Sequence, residues 1–145
     1  MSKLILFVCT GNTCRSPMAE YYFNYKAVPD YKAVSRGIYA GNNNLMSANS
    51  QQVLLDNNII PNIDDILHKS APVDAEIMRE ADLIYGITDN HAATLQENYP
   101  EYADKIFAMP ESIGDPYGGS LEIYAECFEK IKTAVDSIIE NLRED

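Results

Sequence analysis

The stretch KLILFVCTGNTCRSP, from Lys3 to Pro17, decides the fold of this 145-residue chain. After the leading lysine, the residues up to Cys9 form a continuous apolar run, which is typical of a central strand buried on both faces. Pro17 suits the first turn of a helix, where the missing N–H of proline costs nothing, and the helix is expected to reach about Tyr25. Strand, short loop and helix in this order predict the first unit of a parallel α/β sheet.

The rest of the chain continues this alternation of strands and helices. The apolar patterns predict strands at Tyr31 to Ser35, Leu83 to Ile87 and Lys105 to Met109, and helices at Ala48 to Asn57, Asp74 to Ala81, Thr88 to Glu97 and Leu121 to Leu142. The polar segment Asn42 to Ser50 is expected to be an exposed connector without function, and Pro110 to Ser120 a surface loop. We therefore expect one α/β domain over residues 1–145, with helices on both faces of its sheet.

Composition narrows the classes of function. The formal net charge is −11, which opposes binding to nucleic acid or to an anionic membrane. The apolar start is too short for a signal peptide or a membrane span. Three cysteines without an export signal predict the reducing cytoplasm rather than a disulfide framework. Two histidines and three scattered cysteines show no metal-ligand spacing, so we expect a mechanism without metal or other cofactor.

The loop CTGNTCRS, from Cys9 to Ser16, has the features of a phosphate site. A loop that wraps over a helix N-terminus aims successive N–H groups and the positive end of the helix dipole at one point, which favours a dianionic phosphate. A cysteine held there beside an arginine is typically a thiolate and therefore a nucleophile. Arg15 is able to grip two phosphoryl oxygens at once, and Ser16 to donate a hydrogen bond to the sulfur. The expected phosphate-binding residues are Thr10, Gly11, Asn12, Thr13, Cys14, Arg15 and Ser16.

An isolated cysteine and arginine are also compatible with purely structural roles. Cys9 would then be a buried residue at the end of a strand, and Arg15 a surface partner in an ion pair. The fixed spacing of the two residues, the glycine at Gly11, and a strand before and a helix after the loop all favour the phosphate site instead.

The sequence CTGNTCRSPMAE, from Cys9 to Glu20, resembles the signature of the low-molecular-weight protein tyrosine phosphatases. Members of that family also carry a late Asp-Pro pair followed by an aromatic residue, which matches Asp115, Pro116 and Tyr117. The resemblance covers nearly the whole chain. It implies a three-layer, flavodoxin-like, doubly wound sheet of four parallel strands in the order 2-1-3-4.

The resemblance also implies roles for individual residues. Thiolate attack on a phosphoryl group needs an acid for the leaving group and then a base for water, and one carboxyl group serves both needs. Asp115 is the candidate by position and by the family match, and Tyr117 is expected to form an aromatic wall of the substrate pocket. The resemblance further implies that Asn12, Ser35 and His68 support the loop through hydrogen bonds.

Two interpretations of Cys14 stay open. It would either form a reversible disulfide with Cys9 on oxidation, which the resemblance favours, or simply pack against the helix. Cys127 is expected to be a packing residue of the last helix.

Thr13 bears on the substrate. Tyrosine phosphatases of the family usually carry an aliphatic residue there, whereas threonine resembles the bacterial protein arginine phosphatase branch, which shares the run Asp115 to Ser120. Because a hydroxyl group suits a guanidinium better than a phenyl ring, we expect phosphoarginine as the substrate, with phosphotyrosine a close alternative. The expected partners are a phosphorylated protein or peptide and inorganic phosphate, with the chain a monomer or weak dimer.

Two other functions are compatible with a strand, a cysteine loop and a helix. A thiolate arsenate reductase needs two further cysteines, and the segment DLIYGITDNH, from Asp82 to His91, has none. A phosphocysteine carrier of a sugar phosphotransferase system must keep its phosphate, whereas Arg15 and Asp115 would accelerate transfer to water.

Overall fold

The computed structural model describes residues 2–143, in which four parallel strands form one sheet. The strands are β1 (Lys3–Cys9), β2 (Tyr31–Gly37), β3 (Leu83–Gly86) and β4 (Ile106–Ala108), and they lie in the order β2-β1-β3-β4. The flavodoxin-like order that the resemblance implied is therefore confirmed. With β1 flanked on both sides, the apolar run that opens the chain becomes a central strand.

Helices cover both faces of the sheet. They are α1 (Arg15–Tyr25), α2 (Ala48–Asp56), α3 (Ala75–Glu80), α4 (Asp89–Asn98) and α5 (Leu121–Arg143), with short 3-10 turns at Ile63–Asp65 and Pro100–Lys105. None of the helices in residues 2–143 combines the length and the apolar character that crossing a lipid bilayer requires.

The alternation of side chains along β1 divides the core into two layers. Ile5 and Phe7 face α1, α2 and α5, whereas Leu6 and Val8 face α3 and α4. All four are fully buried, as expected for a strand covered on both faces. Apolar residues of α5 recur at helical spacing and complete the first layer: Phe128, Ile131, Val135 and Ile138.

The structure corrects several predicted boundaries. Helix α1 begins at Arg15 rather than Pro17, which lies inside its first turn. Strand β2 continues two residues beyond Ser35, to Gly37, while β3 and β4 end earlier than predicted. The shifts in the strands follow from pairing, because the register of β2 and β3 with β1, and of β4 with β3, sets where each strand stays hydrogen-bonded.

The prediction of an exposed connector at Asn42 to Ser50 is wrong for its second half. Met46 and Ser50 are buried, although α2 begins at Ala48, where the helix was predicted to begin. The Ser47 side chain caps this helix by accepting a hydrogen bond from the Ser50 N–H. The capping serine was hidden in a polar run that is otherwise typical of a loop.

The carboxyl ends of three strands meet at one edge of the sheet. Cys9 pairs with Gly37, and Val8 pairs with Gly86. A Cβ atom on Gly37 would lie 2.6 Å from the Thr10 carbonyl oxygen, and one on Gly86 would lie 2.4 Å from the Ala92 nitrogen. Glycine at these two ends therefore lets the loop after β1 and the start of α4 approach the sheet closely.

Candidate active site

The N-terminus of α1 lies at this edge and differs from the other helix starts. Its N-cap, Cys14, makes no side-chain capping hydrogen bond. Helices α2, α3 and α4 are each capped by a side chain, those of Ser47, Asp74 and Thr88. Because the first N–H groups of a helix need partners, an uncapped start is suited to hold an anion.

Cys9 lies at the base of the loop and is almost fully buried. Its Sγ atom is 2.9 Å from the Ser16 Oγ atom. Ser16 Oγ accepts a hydrogen bond of 2.9 Å from the Asn12 side-chain amide. Its own hydrogen is left for the sulfur or for the more distant Arg36 carbonyl oxygen, at 3.4 Å. The Ser16 hydroxyl group is therefore placed to stabilise a thiolate at Cys9.

Asn12 is the centre of the hydrogen bonds that hold the loop. It is fully buried and has a left-handed backbone, with φ of 59°, a conformation that asparagine tolerates better than most residues. Its side-chain amide also donates to Ser35 Oγ at 3.0 Å, and its Oδ1 atom accepts from the Ala71 N–H at 3.0 Å. The His68 Nε2 atom lies 2.8 Å from the Asn12 carbonyl oxygen. The structure thus brings together Asn12, Ser35 and His68.

Glu20 extends this network, and the sequence analysis missed it. The Ser35 hydroxyl donates to Glu20 Oε1 at 2.7 Å, and burial raises the pKa of Glu20. Burial also lowers the pKa of His68, against the opposing effect of its bond to Asn12, so a neutral His68 donates from Nε2 to the carbonyl. Glu20 follows Ser16 by one helical turn, and this spacing was the signal available in the sequence.

Arg15 joins the loop to the distant segment 110–120. Its guanidinium is buried, and Nη1 donates to the Ile113 carbonyl oxygen at 2.9 Å. Nη2 lies 3.8 Å from Asp115 Oδ2. The Asp115 side chain is 54% exposed, and its Oδ1 atom accepts from the Tyr117 N–H at 3.0 Å. The carboxyl group is therefore held by a local turn beside the guanidinium, yet reachable from solvent.

These residues surround a cavity of about 220 Å³. The loop from Cys9 to Arg15 forms its floor and walls, and Asp115 and Tyr117 border it on the side of the 110–120 loop. Tyr117 is 79% exposed, so its ring stands free beside the cavity. Thr13 also lines the cavity, and its carbonyl oxygen accepts from the Ser47 N–H at 2.9 Å.

Cys14 packs among polar groups on the inner side of the loop. Its thiol donates to Ser47 Oγ at 3.4 Å, and Sγ lies 3.5 Å from the Tyr124 hydroxyl. Burial raises the pKa of Tyr124 to about 12 and, equally, that of the Cys127 thiol to about 12, so both stay neutral. The three cysteines are free thiols.

His91 is a second residue that the sequence analysis missed. Its Nδ1 atom accepts from the Thr88 N–H at 3.2 Å, which leaves the proton on Nε2. That proton is donated to Thr10 Oγ1, 2.9 Å away. Burial, and secondly the charge of Arg15, lower the pKa of His91 to about 4, so it is neutral at pH 7. The spacing Thr88-x-x-His91 signalled a helix cap but not a contact with the loop.

No group of three or more His, Cys, Asp or Glu side chains in residues 2–143 is placed to share a metal ion. The polar groups at this edge instead converge on the space above the Cys9 sulfur. A nucleophile, a buried guanidinium and a reachable carboxyl group stand around one small cavity, which is the arrangement that phosphoryl transfer through a covalent intermediate needs.

Known proteins share this architecture. Residues 4–145 match the family described as low molecular weight phosphotyrosine protein phosphatase. A protein-arginine-phosphatase from Geobacillus stearothermophilus is 32% identical over 150 residues, covering 99% of this chain and 98% of that protein. The solved structure of the YwlE arginine phosphatase from Geobacillus stearothermophilus is 32% identical and superposes with a TM-score of 0.91, over 98% of this chain and 94% of the other.

A solved low molecular weight protein tyrosine phosphatase from T. tengcongensis is 38% identical, with a TM-score of 0.88 over 97% of this chain and 99% of its own. A serine mutant of the arginine phosphatase YwlE was solved with a phosphorylated active-site serine; it is 30% identical, with a TM-score of 0.87, over 98% of this chain and 97% of that one. The chain therefore belongs to the low molecular weight phosphotyrosine protein phosphatase family and is a cysteine-based protein phosphatase.

Proposed function

We propose that this protein hydrolyses phosphorylated side chains of proteins, with phosphoarginine preferred over phosphotyrosine, through a phosphocysteine at Cys9 and without a metal ion. The observation that carries the proposal is the arrangement around the 220 Å³ cavity. The Cys9 sulfur lies beneath an uncapped helix start, with the Arg15 guanidinium and the Asp115 carboxyl group beside it.

In the first step the Cys9 thiolate attacks phosphorus in line with the leaving group. An S–P bond forms and the P–N bond of phosphoarginine, or the P–O bond of phosphotyrosine, breaks. Asp115 gives its proton to the departing atom. Arg15 and the N–H groups of residues 10–16 bind the equatorial oxygens, where charge accumulates in the transition state.

In the second step water hydrolyses the phosphocysteine. The Asp115 carboxylate accepts a proton from water as the oxygen attacks phosphorus. The S–P bond breaks, inorganic phosphate leaves, and the thiolate is regenerated. The hydrogen bond from Ser16 stabilises the sulfur as a leaving group. The hydrogen bonds that Asn12 makes with Ser35 and His68 keep the loop in its binding conformation.

Phosphoarginine is preferred because Thr13 places a hydroxyl-bearing side chain in the wall of the cavity. A guanidinium leaving group has N–H donors and gains from a polar wall, whereas a phenyl ring gains more from an aliphatic one. The related protein-arginine-phosphatase of Geobacillus stearothermophilus supports this choice. The exposed ring of Tyr117 packs against the flat leaving group of either substrate.

The two alternative hypotheses receive no such support. The segment 82–91, where an arsenate reductase would need its additional cysteines, contributes His91 to the edge instead. A phosphocysteine carrier has no use for an acid beside its phosphate loop, yet Asp115 lies 3.8 Å from Arg15.

We also propose that Cys9 and Cys14 form a reversible disulfide. The two thiols would lose two electrons and two protons to an oxidant such as a peroxide, and thiol exchange would restore them. Their position in one loop as free thiols supports this. Free thiols also support the proposal of a reducing cytoplasmic location. We further propose that the protein acts on phosphorylated proteins as a monomer or weak dimer.

The experiment compares matched peptides that carry phosphoarginine or phosphotyrosine. We expect the wild type to prefer phosphoarginine and Thr13→Ile to shift the ratio of kcat/KM toward phosphotyrosine by about tenfold, since one pocket side chain is worth about 1–3 kcal/mol. Phosphate release is the measurement, and Ser112→Ala, a change outside the cavity, is the matched control.

An unchanged ratio in Thr13→Ile would contradict the arginine preference. Cys9→Ser is expected to release no phosphate from either peptide. The phosphocysteine mechanism would be overturned if Cys9→Ser released phosphate at an undiminished rate. It would also be overturned if a metal chelator abolished phosphate release by the wild type.

A further inference from the structure

We propose that a second cavity, here called the flanking groove, binds the residue next to the phosphorylated one in a polypeptide substrate. The groove has a volume of about 470 Å³ and lies between the segment after β2, the first turns of α4 and the 110–120 loop. It shares Thr10, Arg15 and Asp115 with the catalytic cavity. The inference rests on the proposed function, because the occupant is the neighbour of a residue held over Cys9.

One wall of the groove is fastened to the catalytic loop. The Ile38 N–H donates to the Cys9 carbonyl oxygen at 2.9 Å, and the Tyr39 N–H donates to the Thr10 carbonyl oxygen at 3.0 Å. The segment after β2 therefore keeps a constant distance from the sulfur. A preformed wall lowers the ordering cost of binding a peptide.

Tyr39 is the most conspicuous group on this wall. Its side chain is 81% exposed, although its backbone is held by the bond to Thr10. A large aromatic ring on a fixed backbone beside an active site offers contact area at little conformational cost. Tyr117 occupies the corresponding position beside the catalytic cavity, so each cavity has one exposed ring.

The opposite wall does not suit a second phosphate. The Thr88 side chain accepts from the His91 N–H, so the start of α4 is already capped. Asn90 and Thr94, whose side chains carry amide and hydroxyl groups, line the groove there. Such groups pair with the N–H and C=O groups of an extended peptide, which are neutral and need both donors and acceptors.

The charge around the groove determines which residue is preferred next to the phosphorylated residue of the substrate. The carboxyl groups of Asp89 and Asp115 are exposed near the groove, and the whole chain carries a formal net charge of −11. The cation on the lining, Arg15, is buried and turned toward Ile113 and Asp115. A lysine or arginine beside the phosphorylated residue is therefore favoured, and an acidic neighbour is disfavoured.

The test uses phosphopeptides that differ only in having Lys or Glu next to the phosphorylated residue, together with a small aryl phosphate. For the wild type we expect kcat/KM about fivefold higher for the Lys peptide, equal to about 1 kcal/mol, with the difference shrinking at high salt. Thr94→Trp fills the groove without touching the catalytic cavity. It should lower kcat/KM for the Lys peptide about tenfold and leave the aryl phosphate rate within about twofold.

Glu97→Trp is the matched control, because it adds the same side chain on the exposed part of α4 outside the groove. Equal rates on the Lys and Glu peptides, or equal effects of Thr94→Trp on peptide and aryl phosphate, would overturn the flanking groove while leaving the proposed function intact. Failure of the wild type on every substrate would instead refute the proposed function, and the groove assignment with it.

Discussion

The starts of α1 and α4 lie at the same edge of the sheet, and they differ in whether a side chain caps their first N–H groups. Helix α1 begins without a side-chain cap, whereas α4 begins with a reciprocal capping box between Thr88 and His91. An open helix start offers more free N–H groups to an anion than a start where a side-chain cap already occupies some of them. We therefore propose that the two ends have different roles: the start of α1 binds the phosphoryl group, and α4 positions Thr10 in the loop that surrounds it.

The His91 ring connects the two helix starts. One of its nitrogens completes the cap of α4, and the other donates to Thr10 in the loop before α1. Two helix N-termini at one sheet edge therefore differ in role. A start whose N–H groups lack a side-chain cap is suited to bind an anion, and a start capped by its own side chains is suited to support the loop.

The largest expected effect comes from breaking the anion site of α1. Arg15→Lys keeps a positive charge but loses the planar fork, so we expect kcat to fall about 10²- to 10³-fold. The fall in kcat is measured from the steady-state release of phosphate. Arg79→Lys, on α3 and exposed, is the matched control and should behave as wild type. A loss smaller than about tenfold would show that two-point binding by the guanidinium is not required.

A smaller effect is expected from breaking the link between the helices. His91→Gln retains a residue able to complete the capping box but removes the bond to Thr10. We expect kcat/KM on an aryl phosphate to fall about tenfold with little loss of stability, whereas His91→Ala should also cost about 1 kcal/mol of unfolding free energy.

A double-mutant cycle with Thr10→Val checks this explanation. If His91 acts through Thr10, His91→Gln should change the rate little once Thr10 has lost its hydroxyl group. Fully additive losses would mean that His91 affects catalysis by another route.

The smallest expected effect concerns pH. The pKa of His91 is lowered to about 4 in the folded protein, chiefly by burial, from about 6.5 in an unfolded chain. The unfolded state therefore binds the proton more readily, and the stability that neutral His91 provides is present above pH 6.5 and is lost as pH falls toward 4. His68 shifts in the same direction, so it contributes to the same slope.

Denaturant unfolding of the wild type and of His91→Gln between pH 7 and pH 4 measures this contribution. The free energy of unfolding should fall less steeply in the variant, because one proton-binding group is gone. Parallel curves for the two proteins would contradict the lowered pKa of His91.

Much of the fold was readable from local patterns. The apolar run Lys3 to Cys9, the loop and the proline-containing first turn specified β1 and α1 to within two residues. The helix start at Ala48 was predicted correctly, and the error at Asn42 to Ser50 concerned exposure, because Met46 and Ser50 are buried only once α2 packs on the core. Polarity alone does not distinguish a solvated loop from a helix start.

Long-range contacts at the site were harder to predict from the sequence. Thr10 and His91 are 81 residues apart, and Arg15 and Ile113 are 98 apart. No periodicity relates such positions. Glu20 and Tyr124 were missed for a similar reason, since their importance comes from the side chains they meet, Ser35 and Cys14.

Neighbouring residues alone specify the strand, the cysteine loop and the helix that form the phosphate site, because each depends on local backbone conformation. The order of the sheet was implied by the family that this motif and the run Asp115 to Tyr117 resemble. The contacts of the 110–120 loop with Arg15 and of α4 with Thr10, and the groove between them, form only in the folded chain. These contacts exist because parallel strands bring their carboxyl ends to one edge, where segments distant in the chain must share the same space.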